Sequence, residues 1–131
     1  MKISVLSIPV SDQEKALLFY TEKLGFVKSK DVPMGGGNRW LTLVSKGDEN
    51  GVELLLEPSP NHFEPARTFQ AALYASGIPW TQFSVEDTQA EYDRLLALGV
   101  AFKVEPTVYD TVKFAIFDDT CGNYIQMVET L

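Results

Sequence analysis

An internal repeat is the feature of this 131-residue sequence that most restricts its fold. Residues 8–12 (Ile-Pro-Val-Ser-Asp) and residues 83–87 (Phe-Ser-Val-Glu-Asp) are similar, and a helix-like pattern follows each of them. A Leu-Gly pair then ends both patterns, at residues 24–25 and at residues 98–99. Because self-similarity at a fixed offset indicates repeated supersecondary units, we expect the chain to fold as two similar modules.

Each copy of the repeat has the same predicted order of elements. Ser11 with Glu14 in the first copy, and Thr88 with Glu91 in the second, have the spacing of a capping box at the start of a helix. Apolar residues at helical spacing follow both pairs, and alternating apolar segments come later in both copies. The pattern therefore predicts two βαβββ modules, a fold of the α+β class.

The repeat also sets the expected domain organisation. We expect residues 1–131 to form a single domain, in which the first module covers residues 1–57 and the second covers residues 79–131. A linker over residues 58–78 would join them, because prolines interrupt this stretch. Within it, residues 69–75 are a candidate for a short helix.

Composition excludes several classes of function. The net charge of −7 argues against nucleic acid and anionic membranes as partners, since both require a basic surface. The single cysteine cannot form an intramolecular disulfide, so a cytoplasmic location is expected. The single histidine excludes metal sites that need two or three histidines from one chain.

Strand alternation separates an apolar face, suited to packing under a helix, from a face with polar and bulky side chains. We call the second the mixed face, and it carries Glu53 in the first half and Gln126 in the second. The repeat places these two residues at equivalent positions, as it does Val5 and Trp80. If the mixed faces line one cleft, a carboxylate and an amide converge in a small-molecule pocket. The alternative is that both side chains lie on solvent-facing strand surfaces.

A set of short motifs recurs in paired order along the chain. They are residues 10–12 (Val-Ser-Asp), 19–20 (Phe-Tyr), 24–26 (Leu-Gly-Phe), 52–54 (Val-Glu-Leu), 83–87 (Phe-Ser-Val-Glu-Asp), 117–123 (Phe-Asp-Asp-Thr-Cys-Gly-Asn) and 125–126 (Ile-Gln). With them the sequence resembles the vicinal oxygen chelate superfamily, which includes glyoxalases, bleomycin resistance proteins and extradiol dioxygenases. The resemblance covers essentially the whole chain and implies two βαβββ modules that form an incomplete barrel around a cleft. It does not fix the reaction, because this fold hosts both enzymes and non-catalytic binding proteins.

The resemblance also bears on metal binding. Metal-dependent members hold a divalent ion with one residue from each of four strands, and the corresponding positions here are Val5, Glu53, Trp80 and Gln126. Valine and tryptophan cannot ligate a metal, and glutamine is a weaker donor than glutamate. The resemblance therefore implies a degenerate metal site and no cofactor. His62 matches no ligand position and is expected on a surface loop.

The expected function is binding of a small molecule, neutral or cationic and aromatic, in the cleft between the modules. Aromatic side chains beside a carboxylate suit such a ligand through stacking and cation–π contact. The expected ligand-binding residues are Ser7, Trp40, Glu53, Trp80, Gln82, Tyr109, Phe114 and Gln126.

Two catalytic alternatives stay open at the level of sequence. In one, Glu53 is the general acid or base of a glyoxalase-like lyase or isomerase, with its pKa raised by an apolar pocket. Against it, no second titratable group is expected beside Glu53. In the other, an incomplete metal site is completed by another subunit, for example by its His62. The resemblance also implies a homodimer.

Overall fold

The structure is a computed structural model that describes residues 1–131. The chain divides into two compact units, Met1–Phe69 and Gln70–Leu131, which we call unit 1 and unit 2. Each unit contains a four-stranded sheet, and the order of the strands is the same in both. The predicted α+β class and the predicted repeat of βαβββ modules are therefore confirmed. None of the helices has the length and apolar character needed to cross a bilayer.

Unit 1 begins with a strand and a short helix. Its elements are β1 (Val5–Val10), α1 (Gln13–Leu18), a π-helical turn (Phe19–Lys23), β2 (Val27–Gly35), β3 (Asn38–Val44), β4 (Glu53–Pro58) and α2 (Ser59–His62). The strand order is β1-β4-β3-β2, with β1 parallel to β4 and the other neighbours antiparallel. Helix α3 (Glu64–Ala75) begins in unit 1 and ends in unit 2, and it is longer than the predicted helix.

Unit 2 repeats this arrangement. Its elements after α3 are β5 (Thr81–Ser84), α4 (Thr88–Ala97), β6 (Phe102–Tyr109), β7 (Val112–Asp118) and β8 (Tyr124–Thr130). The strand order is β5-β8-β7-β6, and β5 is parallel to β8. A parallel pair needs a crossover connection, and in each unit the chain between the two parallel strands supplies it.

Aspartates cap the two helices that follow the first strand of each repeat. Asp12 accepts a hydrogen bond from the amide of Lys15 at 2.8 Å, and Asp87 caps α4 in the same way. The predicted capping residues, Ser11 and Thr88, are therefore wrong by one position, in opposite directions. A carboxylate on extended backbone satisfies the first helical amides and also interacts favourably with the positive end of the helix dipole.

Both helical segments end at the predicted glycines. Gly25 has a φ of +83° and Gly99 a φ of +81°, in the left-handed region that glycine adopts without steric cost. In unit 1 the amide of Phe26 bonds back to the carbonyl of Tyr20 at 3.0 Å, which closes the π-helical turn. The Leu-Gly signal thus correctly predicts where each helix stops.

The core of each unit lies on the apolar face of its sheet. Strand alternation predicts that Leu6, Ile8 and Val10 form the apolar face of β1. Ile8 and Val10 are fully buried, but Leu6 is 57% exposed. Burying one such side chain stabilises the fold by about 1.5–3 kcal/mol. Other large apolar side chains that are at most 1% exposed include Leu41, Leu43 and Leu56 in unit 1 and Leu95, Phe117, Ile125 and Met127 in unit 2.

Candidate functional site

Glu53 begins β4 on the mixed face of unit 1, and its side chain is 12% exposed. Both carboxylate oxygens accept hydrogen bonds from the ammonium of Lys30, each at 2.8 Å. Oε1 also accepts from the hydroxyl of Ser29 at 2.6 Å and from that of Thr42 at 3.2 Å. The carboxylate is therefore part of a compact polar cluster, which we call the Glu53 cluster.

A β-bulge in β2 brings two successive residues to this carboxylate. β2 pairs with β3 at Lys28 and Leu43 and again at Lys30 and Thr42, so Ser29 between them has no partner. Successive side chains of a regular strand point to opposite faces, whereas a bulge re-aims the local side chains. The edge strand can therefore direct both the hydroxyl and the ammonium at Glu53.

The Glu53 cluster controls the protonation of its carboxylate. The hydrogen bonds from Lys30, and then from Ser29, hold the pKa of Glu53 below its ordinary value. A general acid or base at neutral pH needs the opposite shift, so the expectation of a raised pKa is wrong. The expected absence of a second titratable group is also wrong, because Lys30 contacts both oxygens.

A second carboxylate, Glu57, lies further along β4. It accepts a hydrogen bond from the hydroxyl of Ser7 at 3.5 Å, and its other oxygen is 3.4 Å from Nδ1 of His62. His62 is the last residue of α2, so its predicted position on a loop is wrong, and its side chain is 49% exposed. The carboxylate lies between the hydroxyl and the imidazole, whereas a serine nucleophile needs the imidazole beside its hydroxyl.

Gln13 is a buried polar residue whose importance sequence reasoning missed. Strands β3 and β4 pair only at Thr42 and Leu43, and beyond this point the Gln13 side chain bridges them. Its Nε2 donates to the carbonyls of Arg39 at 2.7 Å and Leu56 at 2.8 Å, and its Oε1 accepts from the Arg39 amide at 3.0 Å. The two strands therefore separate at this end of the sheet without leaving these backbone groups unpaired.

The predicted residues of unit 2 form a group with aromatic and amide character. Nε2 of Gln126 donates to Oε1 of Gln82 at 3.1 Å. Trp80, directly before β5, is half-buried and donates its backbone amide to the carbonyl of Tyr124 at 2.9 Å. Phe114 on β7 is also half-buried, and alternation places it on the same face of the sheet as Gln126.

Trp40 and Tyr109, also predicted to contact a ligand, lie at the edges of their sheets, Trp40 beside an edge strand and Tyr109 on one. Trp40 on β3 pairs with Val32 of the edge strand β2, and it is 37% exposed. Tyr109 ends the edge strand β6, pairs with Val112 across the hairpin and is 74% exposed. Tyr109 therefore presents most of its ring to solvent.

The two halves differ in register at the positions that the sequence treats as equivalent. Val5 pairs directly with Glu53 in unit 1. In unit 2, Gln126 pairs with Gln82, which lies beyond Trp80 along the chain. The pairing of Val5 with Glu53 therefore has no counterpart between Trp80 and Gln126, because similar motifs fix the order of strands but not the register between them.

The residues present do not fit the divalent metal that the resemblance associates with some members of this fold. Val5 has no donor atom, and the indole of Trp80 can only donate. Both oxygens of Glu53 already bind the ammonium of Lys30. No three or more His, Cys, Asp or Glu side chains are grouped so that they could hold a metal ion. A transition metal needs a larger set of nitrogen, oxygen or sulfur donors.

A cavity of about 450 Å³ opens beside the Glu53 cluster within unit 1. This volume lies in the range of small-molecule sites. Besides Glu53, its lining includes Ser4, Ser29, Lys30, Glu49 and Asn50. The cavity therefore offers hydroxyl, amide and charged groups, but few apolar walls.

Comparison with known families agrees with this fold. A family profile described as the Glyoxalase/Bleomycin resistance protein/Dioxygenase superfamily matches residues 2–127. The chain therefore belongs to this superfamily, as the sequence motifs implied.

Individual relatives match along almost their whole length. The uncharacterized protein YurT of Bacillus subtilis (strain 168) is 55% identical over 129 residues, which cover 98% of this chain and 99% of that protein. The solved structure of UcmS2 has 36% identity and a TM-score of 0.82, with coverage of 99% of this chain and 98% of UcmS2. TnmS3, an antibiotic binding protein from Streptomyces sp. CB03234, has 28% identity and a TM-score of 0.74, with coverage of 100% of this chain and 97% of TnmS3.

Proposed function

We propose that this protein binds a small aromatic molecule, neutral or cationic, without the help of a metal ion. The observation that carries the proposal is the group on the mixed face of unit 2, where the Gln82–Gln126 amide pair lies on the same face as Phe114 and near Trp80. The similarity to TnmS3, which is described as an antibiotic binding protein, supports the same function.

The amide pair is suited to hold a ligand with polar edges. Its internal hydrogen bond uses Nε2 of Gln126 and Oε1 of Gln82. Each primary amide has both donor and acceptor atoms, so Oε1 of Gln126 and Nε2 of Gln82 can bond to a ligand. The rings of Trp80 and Phe114 would supply flat apolar surfaces for stacking.

Charge favours a neutral or cationic ligand over an anionic one. The net charge of the chain is −7, which attracts cationic ligands and repels anionic ones. We therefore expect a cationic ligand to bind more tightly than an anionic one of similar shape.

A thermal-shift screen of aromatic cations and neutral aromatics, with and without EDTA, tests this function. We expect the stabilising compound to act equally in EDTA, and its effect to be lost in Trp80→Ala. Phe63→Ala is the matched control, because this exposed aromatic residue lies outside the proposed site. Circular dichroism confirms that both variants fold. A stabilisation that EDTA abolishes, or that survives Trp80→Ala, would contradict the proposal.

The catalytic alternative based on Glu53 is less well supported, because its lowered pKa leaves it ionised and bound to Lys30 at neutral pH. In the same screen, Glu53→Gln should leave binding of the ligand unchanged. The intersubunit metal site, the homodimer and the cytoplasmic location remain predictions from the resemblance and from composition.

A further inference from the structure

The Glu53 cluster pairs a carboxylate with an ammonium, and this ion pair has a consequence separate from the binding of an organic ligand. We propose that Lys30 is a built-in counter-cation, which keeps divalent metal ions off the Glu53 carboxylate. The inference deepens the proposed function by naming the residue that makes this part of the protein independent of metal. It concerns the apo protein, so it can fail without affecting the ligand proposal.

The position of the ammonium is the first reason. Nζ of Lys30 is 2.8 Å from each oxygen of Glu53, which is where a cation bound to both oxygens would lie. A divalent ion would have to displace the ammonium or accept its repulsion at short range. Two like charges in contact near a protein surface repel each other strongly, because the effective dielectric there is well below that of water.

The second reason is that the fold fixes the backbone from which the Lys30 side chain extends. The Lys30 backbone amide donates to the hydroxyl of Thr42 at 3.2 Å, and this hydroxyl donates to Glu53 at 3.2 Å. Ser29, the unpaired residue of the bulge, adds its own hydrogen bond at 2.6 Å. Thus one segment of β2 is tied to the carboxylate both through Thr42 and by two direct contacts.

The residue that pairs with Glu53 decides which metal ion can test this proposal. Val5 offers no ligand, so loss of Lys30 would leave the carboxylate hydrogen-bonded to two hydroxyl groups, those of Ser29 and Thr42. Such a set binds hard divalent cations weakly and transition metals poorly. The test therefore needs a probe that detects weak binding of a hard cation, and paramagnetic Mn²⁺ meets this need.

We suggest a Mn²⁺ titration of ¹⁵N-labelled wild-type protein and of Lys30→Met. The readout is the line broadening of the amide signals of Thr42 and Glu53. Lys28→Met is the matched control. Its ammonium lies on the same strand and is similarly exposed, but it is 3.7 Å from Asp31 and makes no ion pair with Glu53. We expect Lys30→Met to broaden these signals at a Mn²⁺ concentration about tenfold lower than the wild type does, which corresponds to about 1.4 kcal/mol.

Three outcomes would overturn the proposal. One is equal broadening around Glu53 in the wild type and in Lys30→Met. Another is an equal effect of Lys28→Met, which would show that only net charge matters. The third is broadening that persists when Glu53→Gln is added to Lys30→Met, because the ion would then be bound elsewhere. The ¹⁵N spectra themselves show whether each variant is folded, and no organic ligand is needed.

Discussion

The two units share one order of strands but hold their sheets together differently. In unit 1, β3 and β4 pair over one short stretch, and Gln13 bridges them where they separate. In unit 2, β7 and β8 pair without interruption from Val112 to Asp118. Thr88 is the first residue of α4 as Gln13 is of α1, and its hydroxyl donates to the carbonyl of Lys113 at 3.0 Å.

This difference shows how one residue can change a repeated fold without changing its topology. The long amide of Gln13 can bond to two strands at once, whereas the short side chain of Thr88 reaches one carbonyl of a strand that is already paired. The mixed faces differ in a similar way, because unit 1 contains the charged Lys30–Glu53 pair and unit 2 the neutral Gln82–Gln126 pair.

Replacement of Gln13 should have the largest effect on stability. Gln13→Ala leaves the carbonyl of Leu56 without this partner in a buried place, and the amide and carbonyl of Arg39 without it in a partly buried one, so we expect a loss of about 3 kcal/mol. Thr88→Ala removes one hydrogen bond and should cost about 1 kcal/mol. Urea unfolding of the two variants measures both values. Equal losses would show that the two positions have the same role and that the comparison of the units is wrong.

A smaller effect on the stability of the fold is expected at alkaline pH, and it arises from Tyr74 in unit 2. The Tyr74 hydroxyl donates to Asp118 at 2.6 Å, and its ring stacks on Tyr124 at a centroid distance of 4.5 Å. The hydrogen bond to Asp118, and then that to Tyr124, raises the pKa of Tyr74 above its ordinary value of 10.0. The stabilisation is therefore complete below pH 10 and is lost as the pH rises towards the folded-state pKa.

Tyr74→Phe keeps the stacked ring and removes this titration. We expect a loss of about 1.5 kcal/mol near neutral pH, because a hydrogen bond to a carboxylate is lost. The variant should also lose less stability than the wild type between pH 9 and pH 11 (about the range in which free tyrosine titrates). Tyr109→Phe is the control, since Tyr109 is 74% exposed at the end of β6. If Tyr74→Phe loses as much stability between about pH 9 and pH 11 as Tyr109→Phe and the wild type do, Tyr74 does not carry the alkaline dependence.

The sequence predicts those parts of this structure that depend on local signals. The order of elements in each repeat and the ends at Gly25 and Gly99 are correct, because helical periodicity and a glycine stop are properties of neighbouring residues. The strand alternation also places Gln82 and Gln126 correctly on one face.

The features that the sequence misses depend on register between distant strands. The bulge at Ser29 follows from how β2 pairs with β3, and a shift of one residue decides which side chain meets Glu53. Gln13 reaches strands that are far away in sequence, so no local pattern indicates its partners. The predicted surroundings of Glu53, with a raised pKa and no titratable neighbour, were therefore wrong. Its predicted position on the mixed face was correct.

The most direct test of this account is a pH titration of the Glu53 side-chain carboxyl, monitored by ¹³C NMR in the wild type and in Lys30→Met. Since folding lowers the pKa of Glu53, its contribution to stability is present above the unfolded value of 4.5 and is lost as the pH falls through the folded value. We expect a pKa below 4.5 in the wild type, and a higher one in Lys30→Met. A wild-type pKa above 4.5, unchanged in Lys30→Met, would contradict the internal ion pair and restore Glu53 as a candidate general acid or base.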